Sequence, residues 1–133
     1  RQTGKVRDLW RVGVEGPAEN LGESIVEVIP LKNTAIATSG NYRNYLRYGD
    51  EVFGHTLNPK TGTPINNDQV SVTVIDGQCS KADAYATALM AMSLKKAVAF
   101  TTDKKIKALI IYKDNKKLKK YYSETLKSYL GKK

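Results

Sequence analysis

A single cysteine, Cys79, stands in 133 residues, so no intrachain disulfide can staple the fold and stability must come from an apolar core. A lone cysteine is most often a small buried hydrophobe, and Cys79 is read that way rather than as a nucleophile. Only four prolines occur, which excludes a proline-rich linker or fibre. No apolar run approaches the ~20 residues a helix needs to cross a bilayer, and Arg1 to Asp8 carries no apolar signal-peptide core. Arginine is absent after Arg47, so everything beyond it lacks the side chain best suited to bidentate phosphate and base contacts.

What is present describes a folded chain. Apolar residues make up 41% and charged ones 26%, a globular composition, and the length predicts one domain over residues 1–133 with an ordinary core. The net charge of +9 is unevenly placed. Residues 1–94 hold nine basic and ten acidic groups; residues 95–133 hold thirteen lysines against Asp103, Asp114 and Glu124. Lysines interleaved with Tyr112, Tyr121, Tyr122 and Tyr129 could in principle hold nucleic acid through phosphates and stacking. The plainer reading is a set of solvated lysines on a short strand and helix, and no nucleic-acid partner is expected.

Periodicity orders the chain. Leu9 to Val14 reads as a strand with Trp10, Val12 and Val14 on one face, and Ser24 to Ile29 as a second, β-branched one. Tyr42 to Leu57 reads as a hairpin turning at Gly49-Asp50. Val70, Val72 and Val74 alternate with Ser71 and Thr73, the pattern of a half-buried strand. A helix is predicted from about Lys81 to Met92, with Ala82, Ala86 and Leu89 at helical spacing, and a second helix after Ser93. Lys107 to Tyr112 and Leu118 to Tyr122 are strands about a turn at Asp114-Asn115, and Ser123 to Leu130 is a helix closed by Gly131. Such an order predicts an α+β fold: a mostly antiparallel sheet with two or three helices packed on it.

Three segments carry chemistry. His55-Thr56-Leu57-Asn58-Pro59-Lys60-Thr61-Gly62 gathers an imidazole, hydroxyls, an ammonium and free backbone N–H groups in one turn, which suits an anionic phosphate. A surface turn with a lone histidine is the alternative. Asp83 and Thr87 lie four apart on the predicted helix, so both can offer hard oxygens to one divalent ion. Against this, Ser80-Lys81-Ala82-Asp83 fits a capping box, with Ser80 as N-cap and Asp83 reaching back to it. Thr38-Ser39-Gly40-Asn41-Tyr42 leaves an apolar strand with small residues that let a backbone approach a ligand, though taken alone a plain turn is the better account.

Together and in this order the three resemble the ApbE family, formerly labelled thiamine biosynthesis lipoproteins. That family carries Ser-Gly-acid-Tyr, then His-x-x-x-Pro-x-Thr-Gly, then Ala-Asp-Ala-x-Ala-Thr on a helix. Here they read Ser39-Gly40-Asn41-Tyr42, His55 to Gly62, and Ala82 to Thr87, and the likeness spans roughly residues 10–122. Asn41 departs from the family's acid, which puts a metal or base role there in doubt. The resemblance implies Mg²⁺-dependent transfer of the FMN moiety of FAD to a threonine of an acceptor flavoprotein, with AMP released. It implies Asp83 and Thr87 as metal ligands and His55 and Asp83 as the catalytic pair. Ser39, Gly40, Asn41, Tyr42, His55, Leu57, Pro59, Lys60, Thr61 and Gly62 are implied as the flavin-dinucleotide contacts. Family members are longer, so the chain is expected to be the carboxy-terminal part of such an enzyme, extracytoplasmic by analogy. A non-catalytic flavin-binding module of the same lineage is the nearer alternative.

Overall fold

The structure is a computed structural model that describes residues 9–17, 25–41, 45–54, 56–65 and 67–133. In chain order its elements are β1 (Trp10–Glu15), β2 (Ile25–Leu31), β3 (Ala35–Gly40), β4 (Tyr45–Tyr48), β5 (Glu51–Gly54), β6 (Gln69–Asp76), α1 (Cys79–Met90), α2 (Leu94–Asp103), β7 (Lys107–Asp114), β8 (Lys117–Tyr122) and α3 (Glu124–Leu130). Every strand pairing is antiparallel: β3-β6-β7-β8 form the main sheet, and β1-β2 and β4-β5 are hairpins. The expected α+β architecture is therefore the one that forms. Gly49, with φ +62°, supplies the left-handed residue of the β4-β5 turn.

The half-buried reading of Val70 to Val74 is corrected. Residues Gln69 to Ile75 of β6 are all buried, because β6 lies inside the sheet and both of its faces are covered. On one face Val72, Val74, Ala108 and Ile110 meet Ala82, Ala86, Leu89 and Met90 of α1 and Ala97 of α2. On the other, Val70, Ile75, Leu109 and Ile111 meet Val14, Ile29 and Leu31 of the β1-β2 hairpin and Leu126 of α3. Valine alternation marks a strand but does not say whether its small polar partners face water. Here they do not: Thr73 and Thr38 pair their hydroxyls at 2.8 Å across β6 and β3. On β1, Val14 is buried and Val12 half-buried, whereas Trp10 is exposed.

The later helix ends follow local chemistry. The Ser93 hydroxyl accepts from the Lys96 N–H, and the Ser123 hydroxyl from the Leu126 N–H, so both serines are N-caps. Gly131 closes α3 in the left-handed region at φ +66°, as expected. The turn between β7 and β8 lies one residue later than expected, at Asn115 and Lys116, both at positive φ as a two-residue hairpin turn requires.

Part of the lysine-rich end is structural. Lys132 reaches Glu27 of β2 at 2.9 Å and lies 4.3 Å over the Tyr122 ring; Tyr122 donates its hydroxyl to the same carboxylate. The Tyr129 hydroxyl donates to the Pro30 carbonyl at 2.6 Å, and Lys120 donates to the Val26 carbonyl. These contacts tie the β1-β2 hairpin to β8 and α3. Burial alone would raise the Glu27 pKa, but the hydrogen bonds from Tyr122 and Lys132, with the charges of Lys132 and Lys120, hold it below its ordinary 4.5. A carboxyl lowered on folding adds stability above its unfolded pKa, and that stability is lost as pH falls through the folded value. Urea unfolding followed from about pH 7 to about pH 3 should therefore show an acid loss, and Glu27→Gln should make that loss smaller. Equal acid loss in the two proteins would take Glu27 out of this account.

Candidate active site

Helix α1 starts two residues before the expected Lys81. Gln78, in extended conformation, is its N-cap without a side-chain cap bond, and the Asp76 carboxylate accepts the Gln78 N–H at 3.0 Å in the turn before it. Ser80 is therefore the second helical residue, not the cap, and Asp83 is the fifth, beyond the first turn. The capping-box reading is overturned, and the dipole contact fades with it, since that effect is confined to the first turn. Asp83 is exposed, and its carboxylate makes no hydrogen bond or ion pair among the described residues. Cys79, expected to be buried, is exposed, because it opens the helix rather than facing the sheet.

Thr87 lies one turn further along α1 and is also exposed. Its hydroxyl is 3.1 Å from the Ser39 hydroxyl. Ser39 is opposite Val72 in the β3-β6 register, on the face that α1 covers, so strand alternation turns its side chain toward the helix. Gly40 ends β3 opposite Ser71, and Asn41 follows it, with its N–H donating to the Val70 carbonyl at 3.0 Å.

The third segment is a closed turn. Asn58 N–H donates to the Thr63 carbonyl, Gly62 N–H to the Asn58 carbonyl and Ile65 N–H to the Thr56 carbonyl, at 2.7–2.9 Å. The Asn58 side chain accepts the Lys60 N–H at 2.9 Å, an Asx-type turn that Asn-Pro-Lys-Thr-Gly chemistry favours. Gly62, at φ +67°, supplies the left-handed residue that closes it. Pro59, Lys60, Thr61 and Gly62 are exposed at the tip, and Leu57 is 55% exposed beside it. The Thr56 hydroxyl donates to the Asn41 side-chain oxygen at 3.4 Å, which joins this turn to the end of β3.

Two side-chain contacts thus bring three separate stretches of chain together: Ser39 with Thr87, and Asn41 with Thr56. Thr56 and Asn58 stand inside the motif but outside the contacts that the resemblance implies, and the Asn-Pro dipeptide is the local signal for Asn58. His55 and Tyr42 lie outside the described residues. Asn41, a neutral amide, serves as a hydrogen-bond acceptor between the segments.

The donors present fit a magnesium ion in part. Magnesium prefers hard oxygens and is commonly held by one or two carboxylates, with phosphate and water completing its shell. Asp83 and Thr87 offer one carboxylate and one hydroxyl from a single helix face, and no group of three His, Cys, Asp or Glu residues forms among the described residues. The rest of a magnesium shell would be filled by hydroxyl or carbonyl oxygens, by a phosphate, by water or by polypeptide outside those residues.

Among solved structures the fold is that of the flavin transferases. The *Pseudomonas stutzeri* flavinyl transferase ApbE in its apo form matches with TM-score 0.79 and 28% identity over 94% of this chain and 38% of that one. The *Vibrio cholerae* flavin transferase ApbE matches with TM-score 0.74 and 39% identity, over 90% and 37%. The chain belongs to the ApbE family, whose model matches residues 1–110. It is 41% identical over 123 residues to the *Vibrio cholerae* FAD:protein FMN transferase, covering 92% of this chain and 36% of that relative. To the *Escherichia coli* K12 enzyme of the same name it is 33% identical over 121 residues, covering 91% and 34%. The chain thus spans about a third of the length of these relatives.

Proposed function

We propose that this chain supplies the metal- and phosphate-handling part of an FAD:protein FMN transferase, acting with the rest of a polypeptide of the relatives' length. The observation that carries the reading is the contact of Ser39 with Thr87, which sets the end of β3 against the helix face bearing Asp83. In the reaction, the hydroxyl oxygen of an acceptor threonine bonds to the FMN-side phosphorus of FAD. The bond from that phosphorus to the oxygen bridging to AMP breaks, AMP leaves, and the hydroxyl gives up its proton.

Asp83 and Thr87 would hold Mg²⁺, which supplies charge neutralisation at the diphosphate when bound. The expected free backbone N–H groups are largely taken up inside the 56–65 turn, so the Lys60 ammonium at its exposed tip would meet the phosphate oxygens, and Leu57 offers apolar surface to the dinucleotide. His55 enters by residue type: an imidazole can take the threonine proton near neutral pH. Ser39, Gly40, Asn41 and Tyr42 would line the approach from β3.

A polypeptide of the relatives' full length containing this chain, given FAD, Mg²⁺ and an acceptor flavoprotein domain, should release AMP and add one FMN mass to the acceptor. EDTA should abolish both. FAD binding without AMP release would instead make the chain part of a non-catalytic flavin module.

A further inference from the structure

At the end of α1 the Ala91 and Met92 N–H groups reach back to the Thr87, Ala88 and Leu89 carbonyls, but no glycine cap closes the helix and serves the Met90 carbonyl. Ala91, the C-cap residue, is in the right-handed region, and the last turn holds no basic residue. A helix end of this kind leaves carbonyls that need donors from elsewhere. Two amides at the start of β6 supply them. Asn67 Nδ2 donates to the Met90 and Met92 carbonyls, at 2.9 Å each. Gln69 Nε2 donates to the Leu89 carbonyl at 3.1 Å and to that of Met92 at 2.5 Å. The Gln69 N–H in turn donates to Asn67 Oδ1 at 3.2 Å, locking the two together.

Packing alone would not choose these residues. Gln69 is 2% exposed and its Oε1 has no partner, so the position carries a buried, half-satisfied amide where an apolar side chain would be less costly. What the amide adds is direction: its donors fix how far α1 advances along β6.

We propose that Asn67 and Gln69 are positioning residues that set the axial register of α1, and through it the placement of Asp83 and Thr87. Thr87 lies two and three residues from the clamped Leu89 and Met90 carbonyls, about 3–5 Å along the axis, and Asp83 lies about 9–11 Å from them. Slippage by one residue would shift the helix by about 1.5 Å and turn it by about 100°, breaking the Ser39–Thr87 contact. The clamp also starts two residues after Ile65, which closes the 56–65 turn on Thr56. One short stretch of chain therefore holds both the phosphate-side turn and the helix. This inference rests on Asp83 and Thr87 being metal ligands.

The test compares Asn67→Leu/Gln69→Met, which keeps shape and removes the donors, with Asp83→Asn and with Leu126→Ala, a core change on the other face of the sheet. All are made in a polypeptide of the relatives' length. Mn²⁺ binding without FAD is counted by electron paramagnetic resonance, and the Mg²⁺ concentration giving half-maximal FMN transfer is measured beside it. The double variant should weaken Mn²⁺ binding and raise the half-saturating Mg²⁺ by about tenfold, with transfer at saturating Mg²⁺ within about threefold of the parent. Leu126→Ala should lower the melting temperature and leave both metal readings unchanged. If the double variant does not fold, Asn67→Ala alone is used, since Met92 keeps its bond from Gln69, and the same direction of change is required. Equal metal shifts in the clamp variant and Leu126→Ala would reduce the effect to general destabilisation and overturn the proposal. Unchanged metal binding in the clamp variant, with loss in Asp83→Asn, would overturn the clamp and keep the metal reading. Unchanged Mn²⁺ binding in Asp83→Asn would end the metal reading, and the clamp with it.

Discussion

Asp83→Asn should lower FMN transfer at subsaturating Mg²⁺ by at least about a hundredfold, near 2.7 kcal/mol of barrier, while the protein stays folded. The substitution keeps the size of the side chain and removes its charge. A purely structural Asp83 would have to support the helix start, yet it is the fifth residue of α1, with Gln78 as the N-cap and no acid in the first turn. It is exposed and its carboxylate has no hydrogen-bond partner among the described residues, so its stability effect should stay within about 0.5 kcal/mol. Thr87→Val should cost less, because a neutral hydroxyl holds a divalent ion more weakly than a carboxylate. Transfer rates are measured in a polypeptide of the relatives' length, with urea unfolding of the same samples. Near-parental transfer by Asp83→Asn would end its assignment as a metal ligand.

Leu89→Ala should produce the opposite pattern on the same helix. Leu89 is fully buried between α1 and the sheet, among Val72, Val74, Ala86 and Ile110. Removing its branched end forfeits the transfer energy of three carbons and leaves a cavity that the surrounding strands can only partly close, a cost of about 2–5 kcal/mol. A small domain has only about 5–15 kcal/mol of net stability, so the urea midpoint should fall visibly. Metal binding by the fraction that remains folded should be close to that of the parent. A loss under about 1 kcal/mol would mean that the α1 layer is loosely packed.

The two substitutions fall on different faces of α1, Leu89 on the buried one with Ala82 and Ala86 and Asp83 on the exposed one with Thr87. That division was legible in the spacing of Ala82, Ala86 and Leu89 against Asp83 and Thr87, because helical periodicity depends on nearest neighbours along the chain. The helix after Ser93, the glycine stop at Gly131 and the turn of residues 56–62 were equally readable, each being settled within a few residues. Where local signals competed, the nearer rule misled: Ser80-x-x-Asp83 has the letters of a capping box, but the Asp76 carboxylate and Gln78 start the helix earlier.

By itself the sequence determined the α+β class, the positions of most strands and helices, and the three stretches of chain that carry the candidate chemistry, since all of these follow from local propensity and pattern. Only the tertiary structure decided that β6 is covered on both faces, that Cys79 is exposed, and that part of the lysine-rich end ties a distant hairpin in place through Glu27. It alone also set Ser39 against Thr87 and closed α1 with Asn67 and Gln69, because these contacts join residues 20 to 48 positions apart. Which side chains meet over such separations depends on strand order and on the register of a helix against its sheet, and neither is written in any short window of the chain.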